Sequence, residues 1–350
     1  RYDKFSKNFA ISVNSATSGL HAAVSAAGVG EGDEVIVSPY SMSASATSIV
    51  MAGGKPIFVD IESDYFCLDP NQVEAAITPK TKAIMAVNIF GQAAELSSLR
   101  RIADKFNLVL IEDNAQAPAA LYGKEYTGTI GHMGVFSLNR HKTMQTGEGG
   151  VVITDSNCLA DRLRLVRNHG ESVLSETNEF NGHEDIVGYN YRLTELQASI
   201  AIPQLKRLDE LNSHRIGLAN YLNHCLEEFD FLSSPAVREG SSHVYYLYPI
   251  KYDQNKISIS RDQFVEALNA EGMPAANYVR PLCSLPLYSK KFGKDPSYNL
   301  SNLPVVQDLW KSSMIVTPIC RPPLEERHID EFISAIKKIL SNINNFKKEK

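Results

Sequence analysis

Phe136-Ser137-Leu138-Asn139-Arg140-His141-Lys142 is followed by Thr146-Gly147-Glu148-Gly149-Gly150, so a hydroxyl and a lysine stand five residues apart, between a β-rich run and a glycine-rich turn. A lysine shielded from water by apolar strands loses solvation, its pKa falls, and the free amine can attack a carbonyl to form a Schiff base. A lone lysine is far more often a solvated surface charge, so its surroundings decide. Ile111-Glu112-Asp113-Asn114-Ala115-Gln116 sets an acid at the C-terminal end of a buried strand, where ligands bind open α/β sheets. Such a carboxylate either keeps a pyridine-type ring nitrogen protonated or caps the following turn. Asn14-Ser15-Ala16-Thr17-Ser18-Gly19-Leu20 precedes an apolar helical run, and its hydroxyls and free N–H groups suit a phosphate; an ordinary N-cap explains the same residues locally. Taken together, Lys142, Asp113 and the turn at Thr17 and Ser18 outline a pocket for a phosphorylated pyridine aldehyde.

The elements that must hold these residues follow from periodicity. From Ser12 to about Asp155, short β-rich runs alternate with helical stretches, the pattern of a mostly parallel sheet flanked by helices. The expected strands are Glu34–Val37, Pro56–Val59, Ala83–Val87, Leu108–Glu112, Val135–Leu138 and Val151–Thr154. Leu96, Leu99, Ile102, Ala103 and Phe106 recur at helical spacing and mark a crossover helix. Asn157–Val166 reads as a helix, and Thr194–Glu228 as a long helical region broken or kinked at Pro203. Gly188-Tyr189-Asn190-Tyr191-Arg192-Leu193-Thr194-Glu195 opens that region, with Thr194 or Asn190 as its cap. Beyond Phe231 come a tyrosine-rich β segment at His243–Ile250, helices at Arg261–Ala270 and Glu325–Leu340, and a lysine-rich tail from Phe346 to Lys350. The expected fold class is therefore α/β: residues 1–228 form a large domain with a bridging helix, and residues 229–350 a smaller α+β domain. Arg1 to Phe9 reads as the tail of an amphipathic helix, and Arg1 in place of Met leads us to expect residues before it.

Composition narrows the partners. A net charge of −5 over 350 residues leaves no basic stripe for nucleic acid or an anionic membrane surface. No apolar run reaches membrane-spanning length and no secretory pattern opens the chain, so the expected setting is cytoplasmic. Cys67, Cys158, Cys225, Cys283 and Cys320 are odd in number and far apart, and read as reduced packing residues. His183 and His243 lack a second ligand at metal spacing; no metal is expected.

From Ser12 to about Leu340, these segments in this order resemble the DegT/DnrJ/EryC1/StrS family of sugar aminotransferases. The phosphate turn at Ser15–Ser18, the "EDxAQ" strand end at Glu112–Gln116, "FSxxxxK" with "TGEGG" at Phe136–Lys142 and Thr146–Gly150, and "GYNYR" at Gly188–Arg192 carry the likeness. It implies fold type I of the pyridoxal 5′-phosphate (PLP) enzymes, the aspartate-aminotransferase-like arrangement. It also implies that Lys142 binds PLP as a Schiff base and shuttles protons, that Asp113 pairs with the pyridine nitrogen, and that Gln116 lies near the phenolic oxygen. Thr17, Ser18 and Ser137 would hold the phosphate, and Asn190 would reach the phosphate of the neighbouring subunit in a homodimer. Many members place an aromatic residue after "PxT"; here Pro39-Tyr40-Ser41-Met42 offers Met42 for the ring face. Several members also carry about 40 residues ahead of the phosphate turn that are not seen here. One branch has histidine in place of the lysine and removes a sugar hydroxyl, but the fifth residue after Ser137 is Lys142, with His141 one short, which favours amino transfer.

The expected partners are L-glutamate as donor and a keto or aldehydo sugar as acceptor, in lipopolysaccharide or other surface-polysaccharide synthesis. Sugar contacts are expected from His141, Tyr189, Arg192, His243, Tyr278 and Arg280. Asn168-His169-Gly170-Glu171 and the Asn139-Arg140-His141 context suggest the branch that aminates carbon 8 of a 3-deoxy-manno-octulosonate; nucleotide-linked 3-keto or 4-keto hexoses are the alternative. A non-catalytic PLP- or sugar-binding regulator is the reading from another class. Lys142, Asp113 and Gln116 together speak against it, because binding alone needs no Schiff-base lysine, and no basic helix-turn-helix segment is present.

Overall fold

In the computed structural model, which describes residues 7–171 and 186–346, the chain builds a seven-stranded sheet and a three-stranded sheet. The first half supplies β1 (Phe9–Val13), α1 (Ala16–Ala26), β2 (Glu34–Val37), α2 (Ser43–Met51), β3 (Lys55–Phe58), α3 (Pro70–Ala75), β4 (Thr81–Val87), α4 (Leu96–Phe106) and β5 (Val109–Asp113). A short hairpin, β6 (Leu121–Tyr122) and β7 (Glu125–Tyr126), leads to β8 (Met133–Ser137), β9 (Gly150–Thr154) and α5 (Asn157–Arg167). In space the order is β1-β9-β8-β5-β4-β2-β3. The run from β3 through β2, β4 and β5 to β8 is parallel, and β9 and then β1 add antiparallel pairings at one edge. The central strands β2 and β4 are buried almost throughout, as a parallel sheet covered on both faces requires.

The expected strands occupy these places with ends shifted by at most two residues, and Asp113 becomes the last residue of β5. Two expectations are corrected. Phe9 belongs to an edge strand rather than a helix tail, because the register Phe9 to Thr154 through Val13 to Gly150 satisfies its backbone against β9. The long helical region breaks at Arg207 and not at Pro203, which sits inside α6 (Glu195–Lys206); α7 (Leu208–Leu226) follows. Five residues at the front of the tyrosine-rich segment, 243–247, stay outside its strand, since Tyr245 has φ 47° and β11 covers Tyr248–Tyr252. Residues 1–6 of the expected helix tail, His183 and the tail from residue 347 lie outside the described residues.

The second sheet orders β10 (Leu232–Ser233), β11 and β12 (Met314–Thr317), covered by α8 (Arg261–Ala270) and α11 (Glu326–Ser341). Between α8 and β12 run the short helices α9 (Pro286–Phe292) and α10 (Pro304–Asp308). Leu282, Tyr288, Leu303 and Val306 from this stretch pack into the core of the large sheet, whereas Leu222, Phe264 and Phe332 belong to a second core. Cys67, Cys283 and Cys320 are buried and Cys225 is half-buried, but Cys158 is exposed and so is no packing residue.

Asp60 joins the two parts of the chain. Its carboxylate accepts from Val305 N at 2.9 Å, Val306 N at 3.1 Å and its neighbour Ile61 N at 3.0 Å. Asp60→Ala strands these buried N–H groups and is expected to lower stability by about 2–3 kcal/mol, read as an earlier urea midpoint; an unmoved midpoint would show that the tether is dispensable.

Candidate active site

The first wall of the site is the start of α1. Ser15, with φ −164° and ψ 159°, caps the helix by accepting from Ser18 N at 3.1 Å. The Ser18 hydroxyl donates to Asn14 Oδ1 at 2.6 Å, and Asn14 N donates to Tyr191 O at 2.8 Å. Ser18 is buried, while Thr17 on the first turn is exposed. The first turn of a helix, with its N–H groups and positive end, is the usual setting for an anion. Gly150 of β9 allows the close approach, because a Cβ there would stand 2.8 Å from both Ala16 N and the Ser15 carbonyl carbon. Ser137 pairs with Gly150 across the β8–β9 ladder, which brings its hydroxyl to the same corner.

Lys142 lies on the loop from Leu138 to Gly149, which is closed by Leu138 N to Gly149 O, Arg140 N to Gly147 O and Thr146 N to Leu138 O, at 2.8–2.9 Å. It is half-buried on a turn and is not flanked by apolar strands as the sequence reading supposed. Its ammonium sits 4.3 Å from the ring centroid of Tyr246, and its charge reaches the Asp113 carboxyl. His141 is exposed and accepts from Arg140 Nε at 3.0 Å.

Asp113 is 5% exposed. Burial raises its pKa; the hydrogen bonds from the Ser45 hydroxyl (2.7 Å) and Ala115 N (3.2 Å) and the Lys142 charge act against that rise. Gln116 accepts from Phe90 N at 2.8 Å and donates to the Tyr278 hydroxyl at 3.2 Å. Tyr278 meets Phe90 and Tyr40 edge-on, with centroids 4.7 and 5.0 Å apart. Gly91, at φ +105°, lets the His243–Tyr246 segment lie against this wall: a Cβ would be 2.9 Å from Tyr245 N. Met42, at the N-cap of α2 and next to Ser41, is 59% exposed.

Other expected residues are placed less directly. Asn190 is exposed, and its carbonyl accepts from Asn14 Nδ2 at 3.3 Å. Tyr189 stacks on Tyr191 at 5.1 Å, with His21 edge-on to both. Arg192 turns to Asn168 Oδ1 at 2.6 Å, and Arg280 to the Ser284 hydroxyl at 2.9 Å. His243 is buried against Tyr245 at 4.0 Å, and its Nδ1 accepts from Tyr245 N. Sequence reading missed Tyr246, Ser41, Ser45 and Phe90. The only signal was nearness to named motifs, since none has a side chain that advertises chemistry.

The residues fit PLP. A helix-end anion cradle narrowed by Gly150, a buried carboxylate that accepts from a hydroxyl and a backbone N–H, and a lysine whose charge acts on that carboxylate match its phosphate, ring nitrogen and aldehyde.

Two outcomes follow from this geometry. Gly150→Ala pushes the Ser15 turn outward and is expected to weaken PLP binding at least roughly tenfold, about 1.4 kcal/mol, by fluorescence titration; unchanged affinity would remove the turn from the phosphate site. Burial pulls the His243 pKa from 6.5 to about 3, so the folded state holds it neutral. Its contribution is fully present above pH 6.5 and is lost as pH falls from 6.5 toward 3. The stability of His243→Gln should fall less steeply in that window than that of the native chain; parallel curves would refute the assignment.

Residues 2–337 match the model of the DegT/DnrJ/EryC1/StrS aminotransferase family. The chain is 32% identical over 337 residues to the spore coat polysaccharide biosynthesis protein SpsC of Bacillus subtilis, covering 95% of this chain and 85% of that one. It superposes on the aminotransferase from Psychrobacter cryohalolentis with a TM-score of 0.89 at 30% identity, over 98% of this chain and 89% of that one. With S. venezuelae DesV, solved in complex with a ketimine intermediate, the TM-score is 0.83 at 30% identity, over 95% and 85% of the two chains. With its fold, its pocket and these likenesses in agreement, the chain belongs to the DegT/DnrJ/EryC1/StrS aminotransferase family and is a PLP-dependent sugar aminotransferase.

Proposed function

We propose that this enzyme moves an amino group from L-glutamate to a keto or aldehydo sugar destined for a bacterial surface polysaccharide or lipopolysaccharide, acting in the cytoplasm as a homodimer with shared sites. The observation that carries the reading is the convergence of Lys142, Asp113, Gln116 and the Ser15–Ser18 turn beside the ends of β5 and β8. The likeness to SpsC supports the polysaccharide destination. A second copy is supported by α6, which carries Leu196, Ile200 and Ile202 exposed and has no buried residue. We read residues 1–228 as the cofactor domain and residues 229–350 as the smaller C-terminal domain, from which the stretch 282–306 packs back onto the large sheet.

Bound PLP supplies an aldehyde for the incoming amine and an electron-withdrawing ring that stabilises negative charge at the adjoining carbon. Asp113 holds the ring nitrogen in its protonated form. Thr17, Ser18 and Ser137 would hold the phosphate, joined by Asn190 of the partner subunit, with Gln116 on the phenolic-oxygen side and Met42 on the ring face. Lys142 would hold the cofactor through its amine and, as a free amine, would take the proton from the glutamate α carbon and deliver one to the sugar carbon that receives nitrogen. Tyr246 faces that amine and limits where it swings. Tyr278 and His243 line the acceptor side, with His141, Tyr189, Arg192 and Arg280 as outer sugar contacts.

Within the acceptor class, the Asn168–Glu171 segment favours carbon 8 of a 3-deoxy-manno-octulosonate. Nucleotide-linked 3-keto or 4-keto hexoses are the second reading, favoured by the exposed cations Arg140, Arg192 and Arg280, which suit a diphosphate.

Borohydride reduction of the PLP-loaded enzyme should fix the cofactor to the peptide containing Lys142, and Lys142→Ala should lose both this label and roughly hundredfold or more of kcat. Steady-state plots with L-glutamate and the acceptor sugar should give the parallel lines of a ping-pong scheme. A label on another lysine, or converging lines, would overturn the reading, and the acceptor panel separates the octulosonate from the hexoses.

A further inference from the structure

The carboxylate of Asp113 is completed by a hydroxyl from an element far away in sequence. Helix α2 carries three hydroxyl side chains past its first residue. Thr47 donates to Ser43 O at 2.9 Å and Ser48 to Ser45 O at 3.1 Å, the ordinary back-bonding of such residues to the preceding turn. Ser45 does otherwise. Its hydroxyl crosses to Asp113 Oδ2 at 2.7 Å, and its oxygen lies 2.9 Å from the Ser41 hydroxyl. Both serines are buried, at 0% and 1% exposure. The single Ser45 proton goes to the carboxylate, which has none to give, so Ser41 must donate to Ser45 and the hydroxyls form a directed pair ending on Asp113. The other carboxylate oxygen, Oδ1, accepts from Ala115 N at 3.2 Å. Both partners are donors, and the Lys142 charge also favours the ionised carboxylate.

We infer that Ser45, oriented by Ser41, is a positioning residue for amino transfer: its hydroxyl holds the Asp113 carboxylate in the form and direction that keeps the cofactor's ring nitrogen protonated. The inference rests on the proposed pairing of Asp113 with that nitrogen. Burial by itself drives the carboxyl toward its neutral form, which would compete with the ring for the proton. A hydrogen bond to a charged group shifts such a balance by roughly ten- to hundredfold. Removal of the Ser45 hydroxyl therefore weakens the electron withdrawal that the ring supplies, without touching the donor or acceptor sugar.

The test is the ring-nitrogen resonance of 15N-labelled PLP bound to the full chain, compared among the native protein, Ser45→Ala, Ser45→Thr and Asp113→Asn. Ser45→Ala is expected to move the signal toward that of an unprotonated ring and to lower kcat roughly ten- to hundredfold, with the KM for L-glutamate little changed. Ser45→Thr, which keeps the hydroxyl, restores both, and Asp113→Asn gives the largest displacement. If Ser45→Ala fails to fold, Ser45→Cys keeps the volume with a weak donor and carries the same expectation. A native-like signal in Ser45→Ala or Ser45→Cys, with Asp113→Asn displaced, overturns the inference alone; a native-like signal in Asp113→Asn overturns the pairing on which it rests.

Discussion

Glu112, a carboxylate with no exposed surface, meets four N–H donors: Ile130 N at 2.8 Å and Gly131 N at 2.6 Å on one oxygen, Asn88 Nδ2 at 3.0 Å and Gly128 N at 2.6 Å on the other. Burial raises its pKa and those donors oppose the rise. A charge in this position is tolerable only with its hydrogen bonds intact, each worth roughly 1.5–3 kcal/mol. Three pieces of backbone are thereby fixed at one point: the exit of β4, the end of β5 and the turn before β8. Asn88 extends the network to Asn114 Oδ1 at 2.9 Å and accepts from Ala94 N at 3.0 Å. Asn114 in turn donates to Ala117 O and Thr127 O.

The site stands on this framework. Successive residues of a strand point to opposite faces, so anchoring Glu112 on one side of the sheet presents Asp113 on the other. The same anchor sets the two loops carrying Phe90 and Gln116, whose mutual hydrogen bond orients the Tyr278 wall. Phe90 holds φ 59°, a left-handed conformation that this packing imposes on a residue with a bulky side chain.

A second constraint is close backbone approach. The α1 cradle, the β9 edge and the Lys142 loop share one corner because Gly150 leaves room for Ser15, and the segment bearing Tyr246 reaches Lys142 because Gly91 leaves room for Tyr245. Nothing in the two glycines advertises this pairwise role. Arg215 shows the same dependence on tertiary position: from α7 it donates to Tyr245 O and Tyr246 O while buried, and so holds the strand entrance behind the Lys142 ring contact.

The sequence by itself determined the alternating α/β order and most strand and helix positions, because hydrophobic period is written in neighbouring residues. Strand-end and turn chemistry singled out Ser18, Asp113 and Lys142 as candidates, and the family resemblance added the roles expected of Gln116 and Ser137. Tertiary structure decided the rest. β1 exists because β9 offers it an edge, α6 continues through Pro203 to a break at Arg207, and Arg192 and Arg280 are drawn to Asn168 and Ser284. Ser45 and Tyr246 join the site only through contacts across 68 and 104 residues. Such contacts depend on which chain segments the sheet order brings together, and that order follows from the packing of the whole core, which no short stretch of sequence encodes.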